Sequence, residues 1–226
     1  MPRLLLLDYS TDRSEGPLTA RWLPAGVECV TWTQVDGGAP PALDGFSHLL
    51  HTGSAWSINA DPPFVEVAME RVREGVARGL AQLGICYGHQ LLARALGGRG
   101  AVRRCPAGLQ VGWCELGFAE EGQRLLALPA RCRVWHYHFD EVRAPPAGAR
   151  VLASDAHCAV QAFHDPARRL LGTQFHPEID PAVGAAIFRA QAAELAAHGH
   201  DAEDLCRGTP RGLAPASFFA RFFDAI

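Results

Sequence analysis

The segment that most narrows what this chain can fold into is residues 80–98, where an apolar run meets a helical pattern with no linker between them. Leu80–Cys86 has the length and composition of a buried strand. Leu91, Leu92, Ala95 and Leu96 then share one face of a helix that stops at Gly97-Gly98. Between the two lies Gly84-Ile85-Cys86-Tyr87-Gly88-His89-Gln90, which puts a cysteine on a sharp strand-to-helix turn. Small residues are needed at 84 and 88 because strand and helix backbones approach closely there, and bulk would close off the cysteine. Gly, Cys, Gly and Gln at those four offsets arise by chance in roughly two or three of a thousand sequences of this composition.

The same strand-then-helix logic recurs before this segment. Arg3–Asp8, Val27–Thr33 and Phe46–Thr52 read as strands, with Leu4–Leu7 as a core run. Residues 61–79 read as a helix with Asp61 as N-cap, Pro62 at the first helical position, and Val65, Ala68, Met69, Val72 and Val76 on one face. In the second half, Leu109–Leu116, Cys132–Phe139, Val151–Ser154, Cys158–His164 and Leu170–Phe175 are short strand-like runs cut by Pro, Gly and Asp turns. Pro181 opens a further helix, and Ala216–Ile226 reads as a terminal one. The expected fold is α/β, with a mostly parallel central sheet flanked by helices on both faces and extra antiparallel strands in the second half. No linker, repeat or low-complexity tract interrupts residues 1–226, and at roughly 150 residues per domain the length fits a single domain.

Composition removes several function classes. All 21 basic residues are Arg, which excludes a P-loop lysine, a Schiff-base lysine and a lysine general base. Basic and acidic residues are interspersed and sum to a net charge of -3, so nucleic acid is not an expected partner. The only amino-terminal apolar run, Leu4–Leu7, is far shorter than a signal-peptide core or a membrane span. A cytoplasmic location and no membrane partner are expected. Seven cysteines (Cys29, Cys86, Cys105, Cys114, Cys132, Cys158 and Cys206) include no C-x-x-C pair. They fit neither a disulfide framework nor a zinc ribbon, and reduced thiols are expected.

The start of the helix after Cys86 offers backbone N–H groups and a positive dipole end, both of which favour thiolate over thiol. A second motif, His176-Pro177-Glu178, lies just past the strand Leu170–Phe175, at the end where open α/β sheets place their sites. In extended chain, residues 176 and 178 point to one side, so Glu178 can hold the His176 imidazole in one tautomer while the ring faces a thiol. Nucleophile, base and orienter are then all present.

With these residues in place the chain resembles the class I, triad-type glutamine amidotransferases, and is similar to stand-alone proteins related to the glutaminase domain of GMP synthase. Besides Gly84–Gln90 and His176–Glu178, the resemblance rests on His51-Thr52-Gly53-Ser54-Ala55, Ile58–Phe64, Val134-Trp135-His136-Tyr137-His138-Phe139-Asp140 and Gln174-Phe175, in the family's order and spacing. It implies a flavodoxin-like fold, Cys86 as nucleophile, His176 as general base and then acid, and Glu178 as its partner. It further implies an oxyanion hole of the Tyr87 N–H and an N–H from Ser54, with Gly53 as the alternative. Gln90, Tyr137, His138 and Asp140 become the expected substrate contacts. The sequence departs from the family where Gly53-Ser54-Ala55 replaces the usual Gly-Gly-Pro, Tyr137 a small hydroxyl residue, and Phe139 a glycine.

The implied reaction is hydrolysis of the γ-amide of glutamine through a γ-glutamyl thioester on Cys86, needing neither cofactor nor metal. The released ammonia would serve a separate acceptor synthetase, because the chain has no acceptor-activating half. Two other readings stand beside it: a self-sufficient hydrolase of γ-glutamyl compounds, and a non-catalytic binding module of the same fold. His136 and His138 share a strand face at a spacing also found in metal sites, but no third ligand of suitable spacing accompanies them. His198 and His200 read as solvated, as does Arg99–Arg104, taken as a loop.

Overall fold

The computed structural model describes residues 1–226. Eleven strands run in chain order: β1 (Arg3–Asp8), β2 (Glu28–Thr33), β3 (His48–His51), β4 (Ala81–Ile85), β5 (Val102–Arg104), β6 (Gln110–Phe118), β7 (Arg131–His138), β8 (Asp140–Val142), β9 (Arg150–Ser154), β10 (Ala162–Asp165) and β11 (Leu170–Thr173). The helices are α1 (Glu15–Ala20), α2 (Val65–Ala77), α3 (Tyr87–Gly97), α4 (Glu120–Leu126), α5 (Pro181–Ala190), α6 (Ala192–Ala197), α7 (Ala202–Cys206) and α8 (Pro215–Ala225). Nine strands form one sheet in the order β2-β1-β3-β4-β11-β10-β9-β6-β7. From β2 through β11 neighbouring strands are parallel. From β11 through β7 they are antiparallel, and β5 and β8 make a separate antiparallel ribbon.

The apolar run in β1 explains the layering. Successive side chains of a strand point to opposite faces. Accordingly Leu5 and Leu7 pack with Leu49, Val65, Val72 and Leu91 beneath α2 and α3, whereas Leu4 and Leu6 pack with Leu83, Ile85 and the α8 phenylalanines Phe218, Phe219 and Phe222. A strand covered on both faces has no solvent side, so it reads as continuous leucine instead of alternating. A smaller cluster, Val111, Trp135, Ile179, Phe188 and Leu195, seats α5 and α6 on the β6–β7 end.

Three expectations need correction. The helix after Asp61 begins at Val65, and Asp61 itself is in a left-handed conformation (φ 51°) closing a 3-10 turn. Its carboxylate is held by Arg94 at 2.5 Å and Arg99 at 2.6 Å, which takes it away from any capping role. The run Cys158–His164 is a strand only from Ala162, because Asp155 Oδ1 accepts the main-chain N–H groups of His157 and Cys158 in a turn. Residues 99–104 are not a solvated loop: they form a 3-10 turn and β5, in which Arg103 pairs with buried Glu141 at 2.8 Å and the Arg104 guanidinium lies 4.0 Å over the Phe139 ring.

Candidate active site

Cys86 occupies the single residue between β4 and α3, with φ 51° and ψ −100°. Such a conformation costs an L-residue on the order of 1–3 kcal/mol and persists only where its surroundings dictate it. They do so here through two glycines. A Cβ at Gly84 would overlap the Gly88 carbonyl, and one at Gly88 would overlap the His51 carbonyl. Main-chain hydrogen bonds complete the turn: Cys86 N–H donates to Thr173 O (2.8 Å), Gly88 N–H to Thr52 O (3.0 Å) and Gln90 N–H to Cys86 O (3.1 Å).

Because β11 is hydrogen-bonded to β4, the chain that leaves β11 rises beside Cys86. His176 N–H donates to Trp135 O (3.0 Å), and the Trp135 ring meets the imidazole edge-on at 5.1 Å. His176 Nδ1 donates to Glu178 Oε1 at 2.6 Å. Glu178 is fully buried, and its main-chain carbonyl is anchored by the Trp22 indole at 2.8 Å and by Arg21 at 3.1 Å. The other side of the imidazole is hydrogen-bonded to the Cys86 side chain. Burial opposes charge on His176, but the Glu178 carboxylate and the Cys86 thiol outweigh it and hold the imidazole pKa well above its ordinary value. Gln174 Nε2 donates to Cys86 Sγ at 3.6 Å.

Cys86 and His176 open into a cavity of about 660 Å³ whose wall also includes Tyr87, Gln90, Ser54, Tyr137, His138 and Asp140. Gly53 and Glu178 lie behind that wall. The Ser54 hydroxyl is used inside its loop, donating to Tyr9 O (2.8 Å) and accepting from Trp56 N–H (3.1 Å). Tyr87 is the first residue of α3, where a main-chain N–H has no partner within the helix. Gln90 Nε2 is shared between Asp140 O and Gln174 Oε1. Both His138 nitrogens are engaged, with Asp140 O and Gln110 Oε1 at 3.0 Å each, and burial lowers its pKa to about 3, so it is neutral. Asp140 accepts from the Ser57 hydroxyl at 2.5 Å through Oδ2, while its Oδ1 is buried without a partner. Tyr137 donates to Glu194 at 3.0 Å.

Two residues of this site carry no signal in the sequence reading. Ser57 reaches Asp140 from another loop. Glu15, the first residue of α1, borders the cavity and gathers with His176 and Glu178 so that one polar atom from each lies within 4.8 Å of the others. A second such group, Cys105, His157 and Cys158, lies away from the thiol and has its two sulfurs 3.8 Å apart. The His136 and His138 rings are 5.5 Å apart and belong to neither group. No helix is long and apolar enough to cross a membrane.

The sequence model of the family described as "Glutamine amidotransferase class-I" matches residues 57–194. The chain is 39% identical to the glutaminase-type subunit of the glutamine-hydrolyzing GMP synthase of Sulfolobus acidocaldarius over 137 residues, which is 61% of this chain and 70% of that one. It is 46% identical over 103 residues, 46% of its length, to the glutamine-hydrolyzing GMP synthase of Parafrankia sp., and spans 19% of that larger enzyme. Its backbone superposes on the crystal structure of a glutamine amido transferase from Methylobacillus flagellatus with a TM-score of 0.78, at 21% identity, covering 100% of this chain and 95% of that one.

Proposed function

The chain belongs to the class I glutamine amidotransferases, and from that premise we propose that it hydrolyses the γ-carboxamide of glutamine, with Cys86, His176 and Glu178 as its catalytic triad. The observation that carries this reading is the strained Cys86 turn facing an imidazole that is itself held by a buried carboxylate. The Cys86 thiolate attacks the amide carbon, and the oxyanion that forms is met by the Tyr87 main-chain N–H and by the main-chain N–H of Ser54 or Gly53. As the C–N bond breaks, His176 gives its proton to the departing nitrogen, leaving ammonia and a γ-glutamyl thioester. Neutral His176 then takes a proton from water, whose oxygen attacks the thioester and releases glutamate. Glu178 keeps the ring oriented and stabilises its charged form.

Asp140 suits the substrate ammonium, because its Oδ1 is buried and unpartnered. Gln90 and His138 act one step behind it by positioning the Asp140 main chain, and Tyr137 shapes the outer wall. No cofactor or metal enters these steps. We read residues 1–226 as one domain, since a single sheet joins β1 to β11 and carries both halves of the triad. The ammonia acceptor is placed on a separate synthetase, by analogy with the GMP synthase of Sulfolobus acidocaldarius, whose matching portion is a subunit of its own.

A second reading, a self-sufficient γ-glutamyl hydrolase, is favoured by the cavity. A volume of about 660 Å³ exceeds what a bare glutamine side chain fills, and Phe139 and Tyr137 supply an apolar wall for a larger amide substituent. Release of glutamate from L-glutamine and from a panel of γ-glutamyl dipeptides tests both readings. Turnover of either substrate class is expected to drop at least about 10⁴-fold in Cys86→Ala. Turnover that survives that substitution refutes the triad assignment.

A further inference from the structure

Glu15 has no part in the steps above, yet it sits against them. Its carboxyl shares a 4.8 Å cluster with His176 and Glu178 and borders the cavity, whereas Glu178 is sealed behind the imidazole. Its Oε2 is buried and makes no hydrogen bond. Leaving a carboxylate oxygen unsatisfied is costly, so such a group calls for an account.

Two features hold Glu15 in this place. The main-chain N–H of the next residue, Gly16, donates to Asp8 Oδ2 at 3.0 Å, and a Cβ at Gly16 would meet that same oxygen at 2.8 Å. The start of α1 is thereby pinned to the end of β1. On the far side, a Cβ at Gly53 would lie 3.0 Å from His176 Cε1 and 3.4 Å from Glu15 Cδ. Glycine at 53 is what allows the carboxyl and the imidazole to flank one gap.

We propose that Glu15 is a second carboxylate partner of His176, a positioning residue that acts on the reaction through the imidazole from the side opposite its bond to Glu178. The role rests on the triad reading given above. The charged groups facing Glu15 are His176 and Glu178 from the segment after β11, Asp8 from β1, and Asp12 from the loop between β1 and α1. Burial, with help from the three acids and against the pull of His176, pushes the Glu15 carboxyl up to about 7. It therefore gains or loses its proton at neutral pH as the charge on His176 changes. An ionised Glu15 strengthens the hold of the imidazole on its proton, and a protonated one relaxes it when the ring must release that proton to the leaving nitrogen.

The test is the NMR titration of the His176 ring in the full-length protein, assigned by its loss in His176→Asn. In the native protein the ring signal is expected to show an additional inflection near neutral pH. In Glu15→Gln that inflection should vanish, and the midpoint of the His176 titration should fall by about one pH unit. Gly53→Ala, which wedges a methyl group between the two, should move the midpoint in the same direction, and Glu15→Asp should restore part of it. Titrations of the native protein and Glu15→Gln that superimpose overturn the proposal. This readout needs no substrate. A titration shift in a protein that hydrolyses no γ-glutamyl compound supports the Glu15 coupling and refutes the glutaminase reading, whereas superimposed titrations in an active enzyme do the reverse.

Discussion

The two sides of the cavity tolerate change differently. On the Cys86 side, backbone meets backbone: Gly84, Gly88 and the His51 carbonyl leave no room for a single methyl group, and the cysteine is forced into a conformation that it would not choose. On the β7 side, side chain meets side chain: Tyr137 reaches Glu194, and Arg104 lies over Phe139, through contacts that rotamers can readjust. A carbonyl cannot move without breaking a ladder, whereas a half-exposed side chain can. Chemistry is thus fixed where packing is rigid, and the shape offered to the substrate is set where packing is adjustable.

The sharpest way to break this comparison is Gly88→Ala. It is expected to cost about 3 kcal/mol of stability, read from urea denaturation, together with loss of Cys86 reactivity toward iodoacetamide. A mild effect would mean that the turn can relax and that the two sides do not differ.

Acid should strike both sides, with a sign opposite to that of the triad histidine. Burial lowers His51, behind the turn, to about 4 and His138, in the opposite wall, to about 3. Between those values and the unfolded pKa of about 6.5, the unfolded chain binds more protons. The stability that these neutral rings contribute is present above about pH 6.5 and is lost as pH falls toward 4. His176, with its pKa raised, contributes stability that is present below about 6.5 and lost as pH climbs through its folded value. Urea midpoints measured across this range should fall on acidification, with a shallower slope in His51→Gln. The smallest effect is reserved for Tyr137→Phe, expected to change stability by under about 0.5 kcal/mol and to act on KM for γ-glutamyl compounds more than on kcat.

What the sequence makes legible follows the same division. β1 and the segment from β4 to α3 can be read because buried parallel strands and a glycine-bounded turn leave short-range marks. His176 and Glu178 are legible through their spacing. The ribbon of β5 and β8 is not, since strands of three residues are too short to show a period. Asp61 misleads because a residue that looks like a cap is claimed by two arginines distant in sequence. Glu15 is invisible for a related reason: only the fold brings the start of α1 to a histidine 161 positions later.

The hydrogen bond from Cys86 N–H to Thr173 O has a further consequence. Because β4 and β11 are adjacent strands, the thiol and the imidazole hang from neighbouring rails whose gap is the ordinary interstrand repeat of about 4.8 Å. That gap cannot be widened without parting the sheet. A protein docking over the cavity mouth therefore has no leverage on the distance between nucleophile and base. What it can reach is the loop that carries Gly53 and Ser54, so any throttle on the reaction belongs to the oxyanion and not to the attack.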